Sequence, residues 1–313
     1  MNKINKIWVN NIAGAGISVI LLWYIYIKIT EQASKIDIHI FSHTGSSFYL
    51  SACVLFMFLN LGLECLKWYI LANYVSPEKP ERIAASYLSG LAFSIITPNR
   101  LGEYPARIFY LGKGQTLRYI NVAVFGVLAQ LFTVFAFGLA GLSYYALRFP
   151  SITSQLATLL CAFGCVLLII VYIKHQSWLP RLSKYKFANR FMLYGKLLKK
   201  ISTNRRFTIL GITILRYLIY SAQYLFLLRW MNIDIPWMDG FCLVTLFFWI
   251  LSVVPSLALG ELGVRTGLGW YLFHSFTNNT AGIVVATAGI WLLNIILPAI
   301  VGSLLIFRMK IIR

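Results

Sequence analysis

The sequence predicts an all-α polytopic membrane protein with about six full transmembrane spans plus two re-entrant helical hairpins in an inverted repeat. Three observations carry that prediction. Of 313 residues, 59% are hydrophobic and only 12% charged; apolar runs long enough to cross a bilayer recur along the chain; and one short charged motif occurs twice, about half a chain apart. Such a composition excludes an ordinary soluble enzyme. The 28 Lys and Arg against 9 Asp and Glu give a net charge of +19, which suits anionic lipid headgroups. No nucleic-acid partner is expected, because the charge flanks apolar spans and has no soluble domain to sit on.

The first run, 9–27, follows Lys3 and Lys6 and lacks a small-residue cleavage site after it, so a retained anchor is expected. The runs 48–74, 120–147, 156–173, 207–228 and 282–307 are each of crossing length. Two others are not. The stretch 83–97, ended by Pro98, rises only about 22 Å as a helix against the ~30 Å of hydrocarbon, and 241–254 is shorter still.

Orientation follows from the placement of Lys and Arg in short loops. Residues 174–206 hold ten of them and no acid, so this basic loop is expected in the cytoplasm together with both termini, at a cell (cytoplasmic) membrane. Its aromatic residues, among them Trp178 and Tyr185, resemble an interfacial segment lying on anionic lipid. Termini on one side require an even number of crossings, and six satisfies that if 83–112 and 241–276 each enter and leave by one face. The order span, span, hairpin, span then repeats over halves 1–150 and 151–313 of one integral membrane domain, with opposite topology.

The motif supports duplication independently of hydropathy. Residues 98–107 read Pro-Asn-Arg-Leu-Gly-Glu-Tyr-Pro-Ala-Arg and residues 255–265 read Pro-Ser-Leu-Ala-Leu-Gly-Glu-Leu-Gly-Val-Arg, with Glu103 and Glu261 158 residues apart. Pro98 and Pro255 stop the preceding short helix; Gly102 and Gly260 let the backbone turn closely, so these four act as hinges. Glu103 precedes Arg107, and Glu261 precedes Arg265, by four residues, which places each pair on one helical face. Ionised groups at membrane depth are costly and usually face a cavity. Interfacial turns whose charges merely hold the hairpin in shape are the competing reading. Arg216 lies about ten residues into its run with Gln223 two turns further on the same face. Arg216 suits a pair with a motif glutamate or a phosphate clamp. Glu64 and Lys67 read as an end-of-helix pair that snorkels.

The five cysteines all fall in apolar runs, so no disulfide is expected. His39 and His43 lack a third ligand, so neither a metal site nor a cofactor is expected.

The stretches 97–107 and 255–265, the Leu-Lys-Trp-Tyr-Ile-Leu of 66–71, and Arg216-Tyr217 with Gln223-Tyr224 resemble the flippase-like transmembrane region of lysylphosphatidylglycerol synthases. That resemblance covers nearly the whole chain. It implies a protein that moves a polar- or phosphate-headgroup lipid across the bilayer. The full-length synthases add a soluble aminoacyl-transferring domain, which this sequence lacks, so lipid aminoacylation is not expected. Where many members carry a Glu-Arg pair in the span after the first hairpin, this chain reads Leu128-Ala129-Gln130.

The expected function is therefore lipid translocation by alternating access. Arg100, Arg107, Arg216 and Arg265 bind the headgroup phosphate, Gln223 is a further substrate-binding residue, and Glu103 and Glu261 hold the arginines or take up a coupling proton. Two alternatives stand beside it: a membrane enzyme acting on a lipid-linked sugar or phosphate, and a non-transporting partner of lipid- or glycan-assembly enzymes.

Overall fold

The computed structural model describes residues 16, 19–20, 23–24, 26–27, 30, 44–97, 100–111, 114–182, 201–254 and 261–306, with the backbone alone at 174–182 and 261. Every regular element among them is helical. Among the described residues, five helical segments are long and apolar enough to cross a membrane: Ser47–Ala72, Thr116–Arg148, Ile152–Ile173, Thr203–Trp230 and Thr280–Leu305. The chain is an all-α polytopic membrane protein. Of the first apolar run, the described residues Gly16, Val19, Ile20, Trp23, Tyr24, Tyr26 and Ile27 are helical, and the rest lies outside the described residues.

Helix α1 (Ser47–Ala72) starts where Ser46 accepts a hydrogen bond from the Phe48 amide. Helix α2 (Pro80–Ser94) opens with a proline whose fixed φ suits a first helical turn, and Glu81 faces the positive end of its dipole. After a tight turn comes α3 (Glu103–Leu111). Arg82 donates to the carbonyls of Tyr110 and Leu111, Ser86 to that of Arg107, and Thr97 accepts from the Gly102 amide, so α2 and α3 run antiparallel as a hairpin. The long α4 (Thr116–Arg148) and α5 (Ile152–Leu182) follow.

Helix α5 continues well past the end of its apolar run. The first nine residues of the basic segment 174–206 are therefore helical, its last four open α6 (Thr203–Trp230), and 183–200 lie outside the described residues. The physical reason is that hydropathy marks the lipid-facing part of a helix, whereas backbone hydrogen bonding carries on into the polar flank. Helix α5 packs chiefly on α4 and exposes Leu156, Leu159, Leu160, Phe163 and Val166. In water that face would be an aggregation hazard; in hydrocarbon it is the normal exterior.

The second half continues with α7 (Trp237–Val253), α8 (Glu261–Phe273) and α9 (Thr280–Trp291), the last capped by Asn279 accepting from the Gly282 amide at 2.8 Å. A π-helical turn, Leu292–Ile296, joins α9 to α10 (Leu297–Leu305). Pro298 explains that turn. Its ring would clash with the carbonyl four residues back, at Asn294, and it has no N–H to donate there, so the wider turn relieves both faults.

Packing joins the two halves closely. Helix α1 lies along α6; α2 packs against α10, and α7 against α4. Both of the latter contacts use glycine. A Cβ on Gly302 would collide with the Leu88 backbone, and one on Gly141 would come 2.5 Å from the Cys242 carbonyl oxygen and 2.8 Å from the Leu246 amide nitrogen. Without a hydrophobic force between helices in lipid, close backbone approach of this kind is what holds them together. The first short helix of each half is thus seated on the last helix of the other, around a shared centre.

Candidate functional site

That centre is a cavity of about 280 Å³ bounded by α1, the α2/α3 hairpin, α4, α6, α7, α8 and the π-turn. Its polar wall includes Asn60 and Glu64 from α1, Arg100 and Glu103 from the hairpin, Gln130 from α4, Arg216 from α6, Arg265 from α8 and Asn294 from the π-turn. Tyr87, Tyr104, Tyr217, Tyr220 and Phe248 supply aromatic surface between them.

The charges are organised around Glu64, which is 2% exposed. Lys67 approaches its Oε2 at 2.7 Å, Arg216 Nη1 approaches the same oxygen at 2.9 Å, and Arg107 Nη1 donates to Oε1 at 3.1 Å. Three cations from α1, α3 and α6 thus share one carboxylate. The expectation that Glu64 and Lys67 snorkel at a helix end is corrected here: both are buried, Lys67 being 3% exposed, because the α2/α3 hairpin, α4 and α6 all pack on this stretch of α1. A buried charge needs partners, and these are supplied across helices.

Arg107 is held more tightly than any other group of the cluster. It pairs with Glu103 as well as Glu64, its guanidinium lies 4.4 Å from the Tyr87 ring centre and 5.2 Å from that of Tyr104, and it is 2% exposed. Gly90 makes room for it, since a Cβ there would stand 2.6 Å from Arg107 Cγ. Ser86 accepts from Trp68 Nε1 and donates to the Arg107 carbonyl, tying the hairpin to α1. Arg107 does not line the cavity; it stands behind the wall and fixes Glu64 and Glu103 in position.

Arg216 is different. Its side chain is 23% exposed, it lines the cavity, and besides Glu64 it donates through Nε to Asn60 Oδ1 at 2.7 Å and more weakly to Gln130 Oε1 at 3.5 Å. From Asn60 an amide chain continues: Asn60 Nδ2 donates to Asn294 Oδ1 at 2.7 Å, Asn294 Nδ2 to Gln223 Oε1 at 2.8 Å, and Gln223 Nε2 to the Cys53 carbonyl at 2.9 Å. Gln223, fully buried, shares the inward face with Arg216 but meets α1 and the π-turn, not the cavity. The relay fastens the broken last span to the centre of the molecule, and the π-turn aims Asn294 into it.

Two further features mark the first hairpin. Arg100 has a φ of 58°, a left-handed conformation that a long side chain adopts only where the surroundings hold it. Gly102 is required by the turn, because a Cβ would lie 2.7 Å from Thr97 Cγ2 and 2.9 Å from the Phe93 carbonyl oxygen.

Of the residues singled out in sequence, Arg100, Glu103, Arg216 and Arg265 meet at one cavity, while Arg107 and Gln223 stand behind its wall. Gly102 sits in the tight turn. Pro98, Pro255, Gly260 and the Glu261 side chain lie outside the described residues. Glu64, Lys67, Asn60, Gln130, Asn294 and the tyrosines were not among the expected site residues. Glu64 and Lys67 carried a signal, two charges at i, i+3 inside an apolar run; Gln130 and Tyr217 showed only through the family resemblance, and Asn60 and Asn294 carried none. Among the described residues no group of three metal-ligating side chains comes together.

No curated protein and no solved structure matches the chain. A family match does, and it spans residues 11–302. The chain belongs to the family described as the lysylphosphatidylglycerol synthase TM region.

Proposed function

We propose that this protein moves a lipid with a polar, phosphate-bearing headgroup across the cell membrane, its headgroup passing through the central cavity while its chains remain in hydrocarbon. The observation that carries this reading is the convergence of three arginines from three different segments on one cavity. Arg100, Arg216 and Arg265 line the cavity, Lys67 and Arg107 stand directly behind it, and the described carboxylates there are Glu64 and Glu103. Arginines gathered at a polar cavity between apolar helices mark a pathway for an anionic group. A guanidinium that is held on one edge and open on another, as Arg216 is, suits a phosphate diester.

Seating of each half's short helix on the other half's last span supports an inverted repeat, which is how alternating access about a fixed central site arises. Both termini and the segment 174–206 then lie in the cytoplasm, where the basic segment meets anionic lipid. Anionic or phosphate-bearing lipids are the partners, together with enzymes of lipid or glycan assembly that make or use them.

The test is transbilayer movement of acyl-labelled fluorescent phosphatidylglycerol in proteoliposomes, read by quenching of the exposed leaflet. Loss of one charge-assisted contact is worth about 1.5–3 kcal/mol, so Arg216→Gln should slow protein-dependent movement by roughly ten- to a hundredfold. Wild-type vesicles no faster than protein-free ones would defeat the reading and favour a non-transporting partner.

A further inference from the structure

Glu64 has more cations than one carboxylate needs, and they are not equivalent. Arg107 approaches Oε1 from behind the wall, fixed by Glu103 and by the Tyr87 and Tyr104 rings. Lys67 and Arg216 share the other oxygen, Oε2. Lys67 reaches it from the same helix at i+3, is buried, and does not line the cavity; its stem passes 4.0 Å from the place a Cβ on Gly126 of α4 would occupy. Arg216 reaches Oε2 across the interface of α1 and α6 from the cavity wall.

We infer that Lys67 is a positioning residue that sets the affinity of the cavity for a phosphate group by keeping Glu64 neutralised when Arg216 turns away from it to the ligand. This rests on the functional reading above and says which side chains make it work. An arginine pinned by a buried carboxylate binds an incoming anion only if the carboxylate can spare it, because an uncompensated buried charge costs several kcal/mol. With Lys67 at 2.7 Å on the shared oxygen and Arg107 on the other, Glu64 loses Arg216 and still keeps a cation on each oxygen. Asn60 and Gln130, which accept from Arg216 now, are neutral and give it up at lower cost. Without Lys67, departure of Arg216 leaves Oε2 bare, and phosphate must compete with Glu64 for the same guanidinium.

The prediction is directional. In detergent-solubilised full-length protein, calorimetric titration measures binding of two probes, inorganic phosphate and monomeric dihexanoyl-phosphatidylglycerol; the second carries the diester and glycerol of a lipid headgroup, and tighter binding of it identifies a lipid over free phosphate as the source. Lys67→Met should weaken binding by about tenfold or more, although the side chain never touches the ligand. The double variant Glu64→Gln with Lys67→Met removes competitor and compensator together, and should restore affinity to within about threefold of wild type. A merely structural lysine would lower the unfolding temperature of Lys67→Met in step with its affinity, whereas a positioning lysine weakens binding in protein that is still folded at the titration temperature. Wild-type binding that Arg216→Gln abolishes, combined with unchanged affinity in Lys67→Met or no recovery in the double variant, overturns the inference and leaves the functional reading standing. Absence of binding of either probe to wild type overturns both. Equal unfolding temperatures for wild type and the double variant separate an affinity change from misfolding.

Discussion

Replacing Glu64 with leucine is expected to destabilise the protein by about 3–5 kcal/mol, the cost of leaving buried charge without its partner. Arg107 would keep Glu103, and Arg216 would keep Asn60 and Gln130, but the ion pair of Lys67 is with Glu64. The ammonium group, 3% exposed, would then face the Arg107 and Arg216 guanidinium groups with no carboxylate between them. Unfolding free energy in lipid bicelles measures this directly. Adding Lys67→Met to Glu64→Leu should recover more than half of the loss, since it removes the stranded charge. A single variant as stable as wild type would mean that the cluster is hydrated and not the buried core described above.

The second large effect concerns the contact between halves. Gly302→Val places branched carbon where α10 meets the Leu88 carbonyl of α2, and a backbone atom, unlike a side-chain tip, cannot move aside without shifting its helix. Overpacking of this kind costs about 1–3 kcal/mol, and separating α2 from α10 also disturbs the cavity wall, so transport should fall further than stability alone requires. Gly211 on α6 provides the contrast: nothing stands within 4 Å of a Cβ there, and Gly211→Ala should be neutral or stabilising by up to about 1 kcal/mol through helix propensity. Thermal unfolding of the two variants side by side checks the pair. Equal tolerance at both positions would contradict close seating of α10 on α2.

Much of this architecture is legible in the sequence, because in lipid the backbone must satisfy its own hydrogen bonds and apolar length reads directly as helix length. The motif around Glu103 points to the site because charge inside apolar sequence is costly enough to be informative. The central place of Glu64 is hidden by the same logic. Its position near the end of a run suggests escape to the interface, and only the fold reveals that the α2/α3 hairpin, α4 and α6 all pack on this stretch of α1 and that its partners come from residues as distant in sequence as Arg216. Asn60 and Asn294 leave no trace, since an amide in a long apolar run is tolerated once bonded, and Gln130 shows only as a departure from the family's charged pair. Pro298 inside the last run does hint at a break, but whether a proline kinks, ends or widens a helix depends on what the freed carbonyl meets.

An anionic headgroup is expected to occupy the cavity with Arg216 as its principal contact. An electron cryomicroscopy structure in nanodiscs containing phosphatidylglycerol tests it most directly. A phosphate should lie within hydrogen-bonding distance of Arg216, with Lys67 and Arg107 still on Glu64. A cavity closed to lipid in every state, with phosphate seen only at the outer helical surface, would contradict it.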